Sequence, residues 1–119
     1  MGFGEAFQKG MSNIGNFEGR SGRAEFWWFV LGIWIAEFVI FLLLNAILRN
    51  GGFFYSFLAF VVWIVAFLAI LSVSIRRLHD VGQSGWLVLL WLIPCIGLVL
   101  IYFFVQPSQG PNQYGPPPA

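Results

Sequence analysis

The chain has 119 residues, 59% of them hydrophobic and 9% charged, where soluble domains carry roughly 25% charge. Six Lys and Arg against five Asp and Glu leave a formal charge of +1, too little for the basic footprint of a nucleic-acid partner or for an acidic tail. The one cysteine, Cys95, excludes an internal disulfide framework and a cysteine zinc site within one chain, and it is expected to be an inert apolar residue. What remains is a small all-α integral membrane protein.

At the start of the chain Phe3, Phe7, Met11 and Ile14 recur at helical spacing, with Glu5, Gln8, Lys9 and Ser12 on other faces. The pattern predicts a short amphipathic helix over residues 3–14, lying at the membrane interface. Gly4 and Gly10 weaken it.

Three stretches are long enough to cross a hydrocarbon core of about 30 Å: residues 26–48, 53–75 and 86–105. The middle one has no charge and fifteen Leu, Ile, Phe or Val, which favours insertion by roughly 5 to 9 kcal/mol. The first has the same fifteen and also Glu37, whose ionised form costs about 2.5 to 3.5 kcal/mol on the same scale, so apolar length wins. Its apolar run exceeds that of a signal peptide and no small-x-small site follows, so a permanent anchor is expected. The link between the first two spans is so short that they form an antiparallel hairpin, with Gly51 and Gly52 in the turn. In the third, Pro94 removes the amide that would bond the Leu90 carbonyl and Gly97 follows, which predicts a kink. Residues 106–119 hold five of the six prolines and are expected to form an extended, flexible tail.

Lys9, Arg20, Arg23, Arg76 and Arg77 fall on one side of a three-span chain and Arg49 on the other. Positive residues stay inside, which predicts a cytoplasmic amino terminus and a carboxyl terminus outside. Trp27, Trp28 and Trp86 then belong to the inner aromatic belt, and Phe53, Tyr55 and Tyr102 to the outer one.

Two segments at the cytoplasmic interface hold most of the charge. Arg20, Arg23, Arg76 and Arg77 face Glu18, Glu25 and Asp80, an excess of one positive charge, whereas a polybasic lipid patch uses about four to eight. Mutual pairing accounts for this composition: Asp80 receives Arg20 or Arg23, and Arg76 or Arg77 reaches Glu25, giving a latch between helices. His79 beside Asp80 suggests a base or a metal ligand, but neighbours on a helix point about 100 degrees apart, and no second histidine exists. Neither a nucleophile motif nor a glycine-rich phosphate loop is present. No catalytic residue, metal or cofactor is therefore assigned, and an enzyme is not expected. Ser84 is placed to cap the third helix before Trp86.

Glu37 lies about 16 Å beyond Phe26 along a helix, out of reach of Arg76 and Arg77. A neutral carboxylic acid bonding Ser72, Ser74, a carbonyl such as that of Leu90 or another copy of itself is the structural expectation. A small homo-oligomeric proton-linked transporter or channel is the functional alternative.

The segments Phe17 to Trp27, Arg76 to Trp86 and Gly110 to Pro117 are similar to the patterns F-x-G-R-x-x-R-x-E-F-W, R-R-L-H-D-x-G-x-S-G-W and G-x-N-x-Y-G-x-P. On them the chain resembles a bacterial inner-membrane family, domain of unknown function 805, over nearly its whole length. Gln83 stands where that family often has a basic residue, and its usual acidic residue before the final proline is missing. The resemblance implies a multi-pass plasma-membrane protein with no assigned activity. The expected partners are membrane lipids, with a membrane protein or a second copy as further candidates, and no nucleic acid.

Overall fold

The computed structural model describes residues 2–92 and 97–118. Among them the chain is all helical: α1 (Phe3–Ser12), α2 (Arg23–Ile47), α3 (Phe53–Asp80), a 3-10 helix, Gly85–Leu92, and α4 (Leu98–Val105). Two of these, α2 and α3, are long and apolar enough to cross a membrane. At 1.5 Å per residue the 28 residues of α3 reach about 42 Å, longer than a hydrocarbon core of about 30 Å is thick.

The hairpin between α2 and α3 forms as its apolar lengths and glycine turn dictate, with Gly52 at φ +54° and the Gly51 amide bonded to the Leu48 carbonyl. Only half of it is packed. Phe26, Phe29, Val30 and Ile33 at the start of α2 meet Ala66, Ala69, Val73 and Leu78 at the end of α3, and Leu100 and Phe104 of α4 close the cluster.

Helix α1 packs against this same half of α2. A Cβ at Gly10 would overlap the Phe29 ring, and one at Gly32 would overlap Phe7. These glycines weaken a helix locally yet let two helices approach closely, a device common between membrane helices. Phe3 stacks on Phe7 and edges onto Trp28, so the apolar face predicted to lie at the interface is partly taken up by α2, while Phe3 and Met11 stay exposed.

The kinked third span expected over residues 86–105 does not run the length of α3 among the described residues. Gly85 sits beside Ile75 and His79 near the end of α3, and the carbonyls of Phe104 and Gln106 accept hydrogen bonds from Arg77. The segment 85–105 therefore leaves one end of α3 and returns to that same end. Its arms are short enough for this: eight residues of 3-10 helix rise about 16 Å, and eight of α-helix about 12 Å. Hydropathy counts apolar length and is blind to a chain that doubles back. Tyr102 accordingly lies towards the charged end, not the far one. Pro94, with its expected kink, and Cys95 lie outside the described residues.

The tail departs from expectation as well. Instead of leading away on the opposite side, it folds against the turn after α3: the Gln109 amide donates to the Asp80 carbonyl at 2.9 Å, and the ring of Tyr114 stacks on that of His79 with centroids 3.9 Å apart.

Candidate functional site

The end of α3 builds the site. Gly82, at φ +81°, closes the helix in a Schellman motif: its amide bonds the His79 carbonyl and that of Gln83 bonds the Leu78 carbonyl. The Asp80 carbonyl is left over, at the negative end of the helix dipole. It accepts from Arg20 Nη2 at 3.1 Å and from the Gln109 amide.

Asp80 itself is fully buried. Its Oδ1 accepts from Arg20 Nε at 3.1 Å, and Arg20 Nη2 lies 3.0 Å away. Its Oδ2 accepts from Arg77 Nη1 and from the Ser108 hydroxyl, both at 2.6 Å. Three stretches of chain thus converge on one carboxylate: the segment before α2, the last turn of α3 and the tail.

A second carboxylate, Glu25, is 1% exposed and accepts from Arg76 Nη1 at 2.9 Å. Ser21 brackets the same arginine, its hydroxyl accepting from Arg76 Nη1 at 2.8 Å and its amide donating to the Arg76 carbonyl at 3.0 Å. Glu25 Oε1, 3.8 Å from Lys9 Nζ, and Arg76 Nε and Nη2 are buried without a hydrogen-bond partner among the described residues.

Three buried arginines, Arg20, Arg76 and Arg77, thus face two buried carboxylates. Backbone oxygens at fixed positions absorb the surplus donors. Arg20 Nη1 donates to the carbonyls of Gly110 and Gly115 at 3.0 and 2.9 Å, and its Nη2 to Gln109. Arg77 Nε donates to Phe104 at 3.2 Å and its Nη2 to Gln106. The five donors of a guanidinium, set in a rigid fork, suit this mixed recognition, which the three rotatable donors of a lysine would not reproduce.

The site residues read from the sequence are therefore mostly drawn together. Arg20 goes to Asp80 and Arg76 to Glu25, while Arg77 joins Asp80 on its own helix. Arg23 stays exposed, its Nη1 3.4 Å from the Val105 carbonyl, and the Glu18 side chain is exposed too. Ser84 Oγ accepts from the Trp86 amide at 3.3 Å, at the start of the 3-10 helix. His79 Nδ1 lies 2.9 Å from the Gly19 carbonyl oxygen; an oxygen that only accepts requires the proton on Nδ1, which leaves Nε2 as the acceptor of a neutral ring. Among the described residues, no group of three His, Cys, Asp or Glu is arranged to hold a metal. Sequence reasoning missed Ser21, Ser108 and Lys9, and the tail carbonyls.

Glu37 lies elsewhere, half-exposed beside a groove of about 220 Å³ between α2 and α3 whose other lining residues include Ile33, Ile40, Val62 and Ala66. Among the described residues it makes no side-chain hydrogen bond or ion pair, and Ser72, one of its expected partners, bonds the Ala69 carbonyl instead.

An all-helical chain with two membrane-length apolar helices and a charged, closed end defines a helical membrane protein. The comparisons place it within that class: residues 14–116 match the model of the family described as "Protein of unknown function (DUF805)", and the chain belongs to that family. It is 40% identical over 116 residues to the inner membrane protein YhaH of Escherichia coli (strain K12), covering 94% of each chain. It is 33% identical over 110 residues to the inner membrane protein YhaI of the same organism, covering 91% of this chain and 90% of that one. No solved structure matches it. The chain is a bacterial membrane protein, and neither the family description nor the relatives' names indicate an enzyme.

Proposed function

We propose that this protein is a structural and interaction module of the inner membrane, not an enzyme, with α2 and α3 crossing the bilayer and the segment 85–105 entering and leaving from the cytoplasmic side. The Arg, Asp and Glu cluster is its latch, and it holds a preformed cytoplasmic face to which an anionic lipid headgroup or a membrane partner binds. The observation that carries this reading is the convergence on Asp80 of Arg20, Arg77 and Ser108, since a buried carboxylate with partners from three segments fixes all three.

The positive-inside rule supports the orientation. Lys9, Arg20, Arg23, Arg76 and Arg77 lie at the end of the molecule that holds the start of α2 and the end of α3, and Arg49 lies in the opposite turn. Both termini are then cytoplasmic, and reporters fused before Met1 and after Ala119 are expected to give the same cytoplasmic signal. Opposite signals would overturn the reading.

Arg20, Arg76 and Arg77 are buried, so the groups that offer charge to a headgroup are Lys9 and Arg23. They line a shallow groove of about 320 Å³ with Ser108 and Pro118. Latching is tested by a double-mutant cycle on thermal stability in detergent. Asp80→Asn combined with Arg20→Ala is expected to cost less than the sum of the two single changes, by about 0.5 to 3 kcal/mol for groups in one network. Strict additivity would remove the direct coupling on which the latch rests.

A further inference from the structure

A groove of about 590 Å³ runs between α3 and the 3-10 helix, outside the arginine network. Its walls include Leu71 and Ile75 of α3 and Val88 and Leu89 of the 3-10 helix, and His79 and Ser84 line it where those two elements meet. The volume is that of a small-molecule site, and the arrangement is graded from polar to apolar. From His79 to Leu71 is eight residues of α-helix, about 12 Å; from Ser84 to Leu89 is five residues of 3-10 helix, about 10 Å. Both walls start at the charged end and run inward, so the groove is polar at the interface and apolar for less than one leaflet of a hydrocarbon core about 30 Å thick.

We infer that this groove binds one acyl chain of a bilayer phospholipid, inserted from the surrounding inner leaflet with its ester region at Ser84 and His79. Two observations select this occupant over a peptide or a soluble metabolite. No Arg, Lys, Asp or Glu lines it, and apart from His79, Ser84, Trp86 and Tyr114 its lining is hydrocarbon; Leu89 is 52% exposed at the rim, which opens the groove sideways to the solvent of α3, lipid. His79, nine-tenths buried, lines it with an Nε2 that makes no hydrogen bond among the described residues. That nitrogen accepts from an N–H or O–H of a headgroup, while the Ser84 hydroxyl donates to an ester carbonyl. Gly85 keeps the seam closed behind the chain, since a Cβ there would stand 2.6 Å from Ile75 Cγ2 and 3.3 Å from His79 Nε2. The inference rests on the reading of α3 as a membrane crossing and does not use the latch.

The test is photocrosslinking of the full-length protein in nanodiscs of phosphatidylethanolamine and phosphatidylglycerol, with a phosphatidylethanolamine probe carrying a diazirine midway along one acyl chain. Adducts on Leu71, Ile75, Val88 and Leu89 are expected to exceed those on Leu31 and Ile35 of α2 by about tenfold, the ratio that about 1.4 kcal/mol of preference for a site over bulk lipid gives. Val88→Trp, which fills the groove, is expected to abolish that excess and leave the α2 adducts unchanged. Equal labelling of groove and α2 in the unaltered protein would overturn the site while leaving the membrane reading intact. Absence of adducts on α2 as well would overturn the membrane crossing itself. The wild-type ratio decides the matter even if Val88→Trp fails to fold.

Discussion

The two halves of the α2–α3 hairpin are built from similar apolar residues and end up with opposite surroundings. In the half nearest the charged end, α1, the 3-10 helix and α4 wrap the pair, and Phe29, Val73, Leu78 and Leu100 are almost fully buried. In the other half Trp34, Phe38, Leu42, Phe53, Phe57 and Phe60 are each more than half exposed. The packed half holds the carboxylates Glu25 and Asp80 within its helices, and the bare half holds Glu37. Asp80 collects two guanidinium groups and a hydroxyl, whereas Glu37 has no hydrogen bond or ion pair among the described residues. Apolarity decides that a segment avoids water, and polar groups with fixed partners decide where it stops.

The largest way to break this contrast is to remove the charge from the packed half. Asp80→Asn keeps the shape and leaves Arg20 and Arg77 buried against a neutral amide. Removing one partner of a buried pair costs about 3 to 5 kcal/mol, because the remaining charge stays uncompensated. The expected result is a large drop in the unfolding midpoint in detergent, together with rapid cleavage of the tail under limited proteolysis, since Arg20, Ser108 and the Gln109 amide all tie the tail to this residue. An intact tail in a destabilised protein would mean that Tyr114 on His79 and Asn112 on the His79 carbonyl suffice to hold it.

An intermediate effect is expected where the packed half depends on close helix approach. Gly32→Ala places a methyl group in the Phe7 ring, and overpacking of this kind costs about 1 to 3 kcal/mol. Gly10→Ala meets Phe29 in the same way, and the two changes should weaken the α1–α2 contact without loosening the tail. Tail cleavage that rises equally in the glycine variants and in Asp80→Asn would show the packed half to be one cooperative unit, not a latch with a helix laid beside it.

Much of this was legible in the residues. Hydropathy and the glycine turn specify the hairpin, and a balance of charges close to neutral favours pairing over lipid capture, although the residues alone leave open whether Arg20 or Arg23 meets Asp80 and whether Arg76 or Arg77 meets Glu25. Two things were hidden for one reason: segment 85–105 and the tail take their positions from backbone carbonyls that Arg20 and Arg77 bond, and a carbonyl has no letter in the sequence. One signal was present. A tail that exists only to be solvated has no use for the fixed pattern Gly110, Asn112, Tyr114, Gly115 and Pro117, and four of these touch the site: Gly110 and Gly115 through Arg20, and Asn112 and Tyr114 through His79.

The smallest expected effect tests the bare half. Glu37→Gln preserves size, and because the native carboxyl makes no hydrogen bond or ion pair among the described residues, no partner is stranded; the change in unfolding midpoint should match that of an ordinary surface substitution, within about 0.5 kcal/mol. Asp80→Asn and Glu37→Gln are the same chemical change in one chain, so their difference isolates the value of partners from the value of burial. If Glu37→Gln instead shifts the oligomeric state in native mass spectrometry, or alters proton flux across liposomes holding the protein, the bare half is covered in the membrane by a second copy or a conducted ion. The contrast between the halves would then describe the single chain and not the assembly, because Glu37 would have found its partner in a neighbour.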